Sequence, residues 1–253
     1  MSPLIFMEQL ILYFKNKGIP SEELDELVNI ADGDESFFRR ITQRRLLREP
    51  LAYIRGYATF YGRKFDVDKR VYVPNPETEN LVRLLLDDLG AQSSVLDIGT
   101  GCGSIAITAK LERPNSKVYG CDINPSALEV ARANARRHKV DISFFESFYV
   151  DDLAIDAPTH IIADMPWGNE TNILGTDDLL ELHHMPQEAV FHPKGVLESY
   201  RELITSIQKK NWKPALFFES GRVGESHVRD IIPEGLNVQY VPFDNYSVTV
   251  VRF

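Results

Sequence analysis

Apolar residues recur at spacings of three and four positions through the first part of the chain, up to about residue 47. Such spacing places side chains on one face of a helix, where they can be buried together. Four acidic residues between positions 22 and 26 precede the second apolar run, as the dipole at a helix start prefers. The pattern predicts a helical N-terminal domain over residues 1–48. The apolar positions of its first helix are Leu4, Met7, Leu10, Ile11 and Phe14.

The pattern changes after Glu49 and Pro50, which end the helical region. Aromatic and β-branched residues follow in short runs over residues 53–73, and Gly56 and Gly62 separate these runs. Short β-type runs divided by glycine are typical of a hairpin. Residues 49–73 are therefore predicted to form a β-hairpin linker.

Strand-like and helix-like segments alternate from Pro74 to the end of the chain. The alternation predicts an α/β domain over residues 74–253, with seven strands in an open, mostly parallel sheet and helices on both faces. Only Asp244, Asn245 and Tyr246 separate the last two strands, so these should form a hairpin with an antiparallel final strand. The strand-like segments are 94–98, 117–121, 142–145, 160–164, 214–219, 238–243 and 247–252.

Charge and composition exclude several classes of function. Asp and Glu number 37 against 28 Lys and Arg, so the molecule as a whole is not an electrostatic binder of nucleic acid. Basic residues are concentrated between positions 36 and 70, where a solvated helix face is favoured over a surface for an anionic partner. The first apolar run is too short to span a bilayer, and no basic leader precedes it. Two cysteines, Cys102 and Cys121, cannot form a disulfide framework. We expect no membrane partner and a cytoplasmic location.

A glycine-rich turn follows the first strand of the α/β domain. Asp97 lies within that strand, and Gly99, Thr100, Gly101 and Gly103 follow it. The glycines let a ligand approach the backbone closely at the carboxyl edge of the sheet. The Asp97 carboxylate suits a cationic amino-acid group better than a pyrophosphate, which it would repel.

A second carboxylate, Asp122, ends the next strand. An acid at this place accepts hydrogen bonds from the hydroxyls of a ribose. Together the two motifs indicate the adenosyl pocket of a class I methyltransferase, with S-adenosylmethionine as the cofactor.

The fourth strand-like segment of this domain ends in Asp164-Met165-Pro166-Trp167, at the same predicted edge. Here the chain resembles the HemK/PrmC family, whose members methylate the glutamine side-chain amide of peptide release factors. The resemblance covers nearly the whole chain. It is carried by residues 48–56 (REPLAYIRG), 60–62 (FYG), 74–79 (PNPETE), the glycine-rich turn and residues 188–200.

The resemblance implies a Rossmann-like class I methyltransferase fold, methyl transfer to nitrogen, and a protein substrate similar to a release factor. Residues 74–253 would then form the catalytic domain, without a metal ion. The implied cofactor contacts are Asp97, Gly99, Thr100, Gly101, Gly103, Asp122, Ile123, Phe148 and Asp164. The implied acceptor contacts are Pro76, Glu77, Trp167 and Glu188, and the implied catalytic residues are Asp164, Pro166 and Trp167.

Three features of the sequence depart from the family pattern. Asp164-Met165-Pro166-Trp167 replaces Asn-Pro-Pro-Tyr, Asn75 replaces an arginine, and Phe148 replaces an acid. In the family the asparagine holds the acceptor amide and the aromatic ring stacks on its plane. An ionised aspartate accepts hydrogen bonds but donates none.

The acceptor is therefore open to alternatives. A small-molecule amine, amide or guanidine is the main alternative to a release factor, and a cofactor-binding scaffold without catalysis is a second. A nucleic acid is not expected as the direct substrate, and the sequence leaves the oligomeric state open.

Overall fold

A computed structural model describes the backbone of residues 3–168 and 177–253, and the side chains of residues 8–168 and 180–253. Leu4 and Met7, assigned above to an apolar helix face, have side chains outside these ranges. Within the described ranges, every helix is too short or too polar to cross a lipid bilayer.

Three helices form the N-terminal region, as the apolar spacing predicts. They are α1 (Pro3–Asn16), α2 (Glu22–Ala31) and α3 (Glu35–Leu46). Phe14, Leu24, Leu27 and Ile41 are fully buried between them. Asp34 begins α3 by accepting a hydrogen bond from the Phe37 backbone N–H at 2.9 Å. The helices are thus held by their own small core.

Several basic residues between positions 36 and 70 form ion pairs, although Arg39 and Arg44 among them remain 62% and 38% exposed. Arg45 of α3 is the extreme case, with a side chain only 3% exposed. Its guanidinium pairs with Glu23 of α2, and also with Glu181 at 2.6 Å. Glu181 belongs to a 3₁₀ helix (Asp177–His184). The expectation of a solvated face is therefore wrong for Arg45, which ties the N-terminal helices to the segment after the Asp-Met-Pro-Trp motif.

The linker contains a short helix as well as the expected hairpin. Residues 51–55, partly assigned to a strand above, form α4 (Leu51–Arg55). Pro50 precedes the helix, and Gly56 ends it in the left-handed conformation with φ 82°. Strands β1 (Tyr57–Phe60) and β2 (Arg63–Asp66) then pair antiparallel. Residues 71–73 form no strand, and the Val71 N–H instead closes a turn by donating to the Asp68 carbonyl at 3.1 Å.

Seven strands form the main sheet: β3 (Ser94–Ile98), β4 (Lys117–Asp122), β5 (Ser143–Glu146), β6 (His160–Ala163), β7 (Ala215–Gly221), β8 (Asn237–Pro242) and β9 (Ser247–Arg252). Their order is β5-β4-β3-β6-β7-β9-β8, and the five strands from β5 to β7 run parallel. Strand β9 is antiparallel to both of its neighbours. The predicted class, a mostly parallel seven-stranded α/β sheet with an antiparallel last strand, is confirmed.

Helices cover both faces of this sheet. They are α5 (Thr78–Asp88), α6 (Ser104–Glu112), α7 (Pro125–His138), α8 (Gln187–Val190), α9 (Val196–Lys209) and α10 (Glu225–Arg229). One apolar cluster joins the sheet to α5, α6, α7 and the β1–β2 hairpin, and a second joins it to α9 and α10. The carboxyl ends of the parallel strands meet at one edge, where a doubly wound sheet places its ligands.

Candidate active site

A cavity of about 780 Å³ opens at the carboxyl edge of the parallel strands. Most of the site residues expected from the sequence meet there. Those that line it are Gly99, Thr100, Gly101, Asp122, Ile123, Phe148, Asp164, Pro166, Trp167, Glu77 and Glu188. Three others, Asp97, Gly103 and Pro76, are not part of its lining.

The glycine-rich turn curls over the end of β3. Gly99 and Gly101 have φ values of 72° and 53°, which other residues adopt only with strain. The N–H groups of Gly99 and Thr100 both donate to the Cys121 carbonyl at 2.9 Å. The Gly101 N–H donates to the Asp122 carboxylate at 2.9 Å. The turn is thus tied to the end of β4, and its open side faces the cavity.

Asp97 lies beneath this turn rather than on the cavity surface. Its Oδ2 accepts hydrogen bonds from the Thr100 hydroxyl at 2.6 Å and from the Ala106 N–H at 3.1 Å. Complete burial raises the pKa of Asp97 to about 7. In this arrangement the carboxylate supports the turn and the start of α6.

Gly103 likewise serves packing. A Cβ at Gly103 would lie 3.0 Å from the Ile107 side chain and 3.3 Å from Ala131 of α7. The third glycine of the motif therefore permits α6 and α7 to approach each other.

Gly120 of β4 provides a test of how the turn is supported. A Cβ there would lie 2.8 Å from the Phe144 ring and 2.9 Å from the Thr100 hydroxyl. Gly120→Ala should lower the free energy of unfolding by about 1–3 kcal/mol, the cost of overpacking. It should also weaken cofactor binding, because Thr100 must move away from Asp97. Thermal unfolding and calorimetry measure the two effects. Gly90→Ala is the matched control, since its Cβ would meet no atom closer than 3.8 Å; equal losses in both variants would contradict this account.

Asp122 is the carboxylate that the cavity exposes at the end of β4. One oxygen accepts from Gly101, and the other accepts from the Asn124 N–H at 2.9 Å. Burial raises the pKa of Asp122, and the nearby charge of Glu188 raises it further. Glu188 accepts a hydrogen bond from the Asn124 side chain at 2.8 Å. Glu188, expected to contact the acceptor, therefore lies on the Asp122 side of the cavity.

Two apolar side chains project into the cavity beside Asp122. Ile123 and Phe148 are each 50% exposed, which is unusual for residues of their size and polarity. Apolar faces of this kind suit a flat aromatic base. An acidic ribose acceptor, apolar faces and a glycine turn in a cavity of this volume fit the adenosyl portion of S-adenosylmethionine.

Asp164 lies just after β6 and has partners that sequence reasoning missed. The Thr78 hydroxyl, at the start of α5, lies 2.8 Å from Asp164 Oδ2 and 3.4 Å from Glu219 Oε2. Burial raises the pKa of Asp164 to about 6 and that of Glu219 to about 8. Glu219 ends the apolar run of β7, so its position at a strand end was the signal that could have found it.

Trp167 lies on the cavity lining, 40% exposed. The side chains of Trp167 and Tyr72 form a hydrogen bond. Burial raises the pKa of Tyr72, and this hydrogen bond partly offsets the rise. The preceding Met165 N–H donates to the buried Tyr200 hydroxyl at 3.1 Å. The tetrapeptide from Asp164 to Trp167 is therefore held by Tyr72 of the linker and by Tyr200 of α9. In the part of the chain that the structure describes, no three His, Cys, Asp or Glu side chains are grouped to hold a metal ion.

Comparison with known proteins identifies the relatives of this chain. A family model described as the methyltransferase small domain matches residues 76–173. The release factor glutamine methyltransferase of Staphylococcus aureus is 33% identical over 189 residues, which cover 73% of this chain and 67% of that protein. The protein of the same name from Neisseria gonorrhoeae is 43% identical over 128 residues, covering 50% of this chain and 47% of its own.

A solved structure shows the same fold. The methyltransferase from Pyrococcus furiosus superposes with a TM-score of 0.56 at 16% identity, over 76% of this chain and 89% of that one. Sheet, cavity and relatives together define an S-adenosylmethionine-dependent methyltransferase. The chain belongs to the family of release factor glutamine methyltransferases, the HemK/PrmC family.

Proposed function

We propose that this enzyme methylates the side-chain amide nitrogen of a glutamine in a peptide release factor. The observation that carries the proposal is the pairing of a polar group, Asp164, with an aromatic ring, Trp167, on the same cavity as the adenosyl-binding features. The relatives named above act on release factors by name, and the chain covers two thirds of the Staphylococcus aureus protein.

The proposed cofactor contacts divide the cavity. Asp122 would accept hydrogen bonds from the ribose, while Ile123 and Phe148 would flank the adenine. The backbone at Gly99 and Gly101 would allow the methionine portion to approach. When bound, S-adenosylmethionine supplies a methyl group on a sulfonium that is a good leaving group, so the protein contributes mainly alignment.

Asp164 and Trp167 would hold the acceptor. The Asp164 carboxylate can accept a hydrogen bond from an amide N–H, and the Trp167 ring can stack on the amide plane. Asp164 cannot donate to the amide carbonyl while it is ionised. The carbonyl would then be held by a backbone or side-chain donor elsewhere on the rim.

A small cationic acceptor is the second candidate function, and the local charge favours it. Glu77, Asp164 and Glu219 all line the cavity, and in the described part of the chain none of the three makes an ion pair. A protonated amine or a guanidinium would be attracted to these carboxyl groups and to the face of Trp167.

Labelling distinguishes the two functions. The enzyme would be incubated with methyl-labelled cofactor and a recombinant release factor, and the label located by mass spectrometry. We expect label on one glutamine, and none when that glutamine is replaced by asparagine. An unlabelled release factor, under conditions in which a family member labels it, would overturn the proposal. Methylation of a small amine or guanidine in parallel reactions would then support the second candidate.

A further inference from the structure

The Thr78 hydroxyl lies between two carboxyl groups, 2.8 Å from Asp164 Oδ2 and 3.4 Å from Glu219 Oε2. A threonine hydroxyl has a single hydrogen to donate. It can therefore satisfy only one of two carboxylates. Its shorter contact is with Asp164, so Asp164 is the carboxyl group to which Thr78 donates.

In the part of the chain that the structure describes, no basic group contributes to the pKa shift of either carboxyl group. Within the described residues, neither Asp164 nor Glu219 forms an ion pair, and Thr78 itself is buried. Two carboxylates that share a poorly solvated site do not both ionise readily, and such a pair retains one proton. The other titratable or charged groups near the pair, from the neighbouring elements, are Tyr72, Glu77, Asp97, Tyr200, Arg222 and Tyr246.

The backbone of β7 fixes Glu219 in this position. The pairing of β7 with β9 shifts register between Glu219 and Gly221, which is the signature of a β-bulge. Ser220, at the bulge, is anchored by a hydrogen bond of 2.7 Å with the Thr249 hydroxyl. Ala215 and Phe217 pack on the α5 side of the sheet, so strand alternation places Glu219 on the same face, towards Thr78 at the start of α5.

We propose that Glu219 is a positioning residue that remains protonated and donates a hydrogen bond to the Thr78 hydroxyl. Thr78 in turn donates to Asp164. Asp164 stays ionised and receives the proton of the acceptor nitrogen. The chain of hydrogen bonds is then Glu219 to Thr78 to Asp164, with every donor used once. The direction of the pKa shifts agrees, because the pKa of Glu219, about 8, lies above that of Asp164, about 6. A base with a pKa near the working pH is well matched to proton removal.

The step balances without a further reactant. As the nitrogen–carbon bond to the methyl group forms, the carbon–sulfur bond breaks and its electron pair stays on sulfur. The nitrogen–hydrogen bond of the acceptor breaks, its electron pair stays on nitrogen, and the proton goes to Asp164. This inference rests on the proposed function only in requiring an acceptor nitrogen that carries hydrogen.

Infrared difference spectroscopy on the cofactor-free protein tests the resting proton without any substrate. Buried Asp97, with a pKa of about 7, also absorbs as a protonated carboxyl group at pH 7, so the difference between parent and variant is the readout. The difference between the parent and Glu219→Gln should contain a protonated-carboxyl band, and the difference between the parent and Asp164→Asn should lack one. Glu234→Gln, which changes an exposed carboxylate between α10 and β8, should leave the spectrum unchanged. Loss of the band in Asp164→Asn instead of Glu219→Gln would overturn the proposal.

The pH profile of turnover tests the role. Asp164 must be ionised to accept a proton, so turnover should fall as the pH drops through about 6. Above a pH of about 8, ionised Glu219 competes for the Thr78 hydrogen and repels Asp164, so the parent should also lose turnover there. Glu219→Gln cannot ionise and should lack this alkaline loss, with turnover at pH 7 reduced by about tenfold or less.

The acidic limb of the profile is the fall in turnover at low pH. Its position distinguishes a neutral Glu219 that positions Thr78 from a charged Glu219 that acts on Asp164 by repulsion. If Glu219 is neutral at rest, Glu219→Gln leaves that limb where it is. If Glu219 is charged, its removal relieves repulsion and moves the limb to lower pH, which would contradict the proposal. Thr78→Val removes the hydroxyl that joins the two carboxyl groups, so it should alter the fall in turnover at low pH and the fall at high pH. Thr78→Ser keeps the hydroxyl and should restore both. A protein that shows the infrared result but never labels a release factor would refute the proposed function and leave this inference intact.

Discussion

Arg45→Met is expected to lower the free energy of unfolding by about 3 kcal/mol, the lower end of the range for breaking a buried ion pair. The Arg45 side chain is 3% exposed and pairs with both Glu23 and Glu181. Methionine fills much of the volume but leaves two carboxylates without their cation. The lower end of the range applies because Glu181 is 34% exposed and is partly solvated.

Urea denaturation of the two proteins measures this loss. Arg39→Met is the matched control, because Arg39 lies in the same helix, its side chain is 62% exposed, and it pairs with Glu35, which is 77% exposed. Its removal should cost less than about 1 kcal/mol, as for an exposed ion pair. Equal effects of the two substitutions would show that the buried pairs contribute no more than the exposed one.

The role of Arg45 could not be predicted from the sequence, because its partners are remote. Glu23 is 22 residues away and Glu181 is 136 residues away. A local count of charges between positions 36 and 70 shows an excess of basic residues and indicates a solvated surface. The tertiary fold brings the matching acids from other elements, so part of the excess is neutralised internally.

Elements that are specified locally were predicted closely. The start of the helix Pro125–His138 is set locally, because Asn124 caps it, accepting from the Ser126 N–H at 2.9 Å, and proline occupies its first turn. Strands Ser94–Ile98 and Ser247–Arg252 have their predicted bounds. The prediction of a β-type run at residues 53–54 was wrong, because Pro50 and Gly56 act as the boundaries of the helix Leu51–Arg55.

The site was predictable to the extent that one topological rule applies. Residues that end parallel strands meet at one edge, and this rule identified Asp122 and Asp164. The rule does not distinguish Asp122, which lines the cavity, from Asp97. Asp97 lies one residue before the end of its strand, and its carboxylate supports the glycine-rich turn from beneath. Thr78 and Glu219 are 141 residues apart in sequence, so their contact follows only from the three-dimensional packing.

Asp122→Ala should raise the dissociation constant for S-adenosylmethionine by about 10- to 150-fold, which corresponds to about 1.5–3 kcal/mol for hydrogen bonds to a charged group. The carboxylate has two roles that alanine removes together: the proposed acceptance of the ribose hydroxyls, and the anchoring of the Gly101 N–H. Asp122→Asn keeps one oxygen acceptor and should fall between the parent and the alanine variant. Asp141→Ala, which removes an exposed carboxylate at the amino end of β5, serves as the control for calorimetry.

The same carboxylate predicts a pH dependence of binding. Burial and the charge of Glu188 raise the pKa of Asp122, so in the free enzyme it takes up a proton at a higher pH than an exposed aspartate does. The cofactor would bind the ionised form, since a protonated carboxyl loses acceptor capacity. Affinity should therefore fall as the pH is lowered through this raised pKa, and Asp122→Ala should abolish that part of the dependence. An affinity that is unchanged by the substitution, or a pH dependence that survives it, would remove Asp122 from the ribose site.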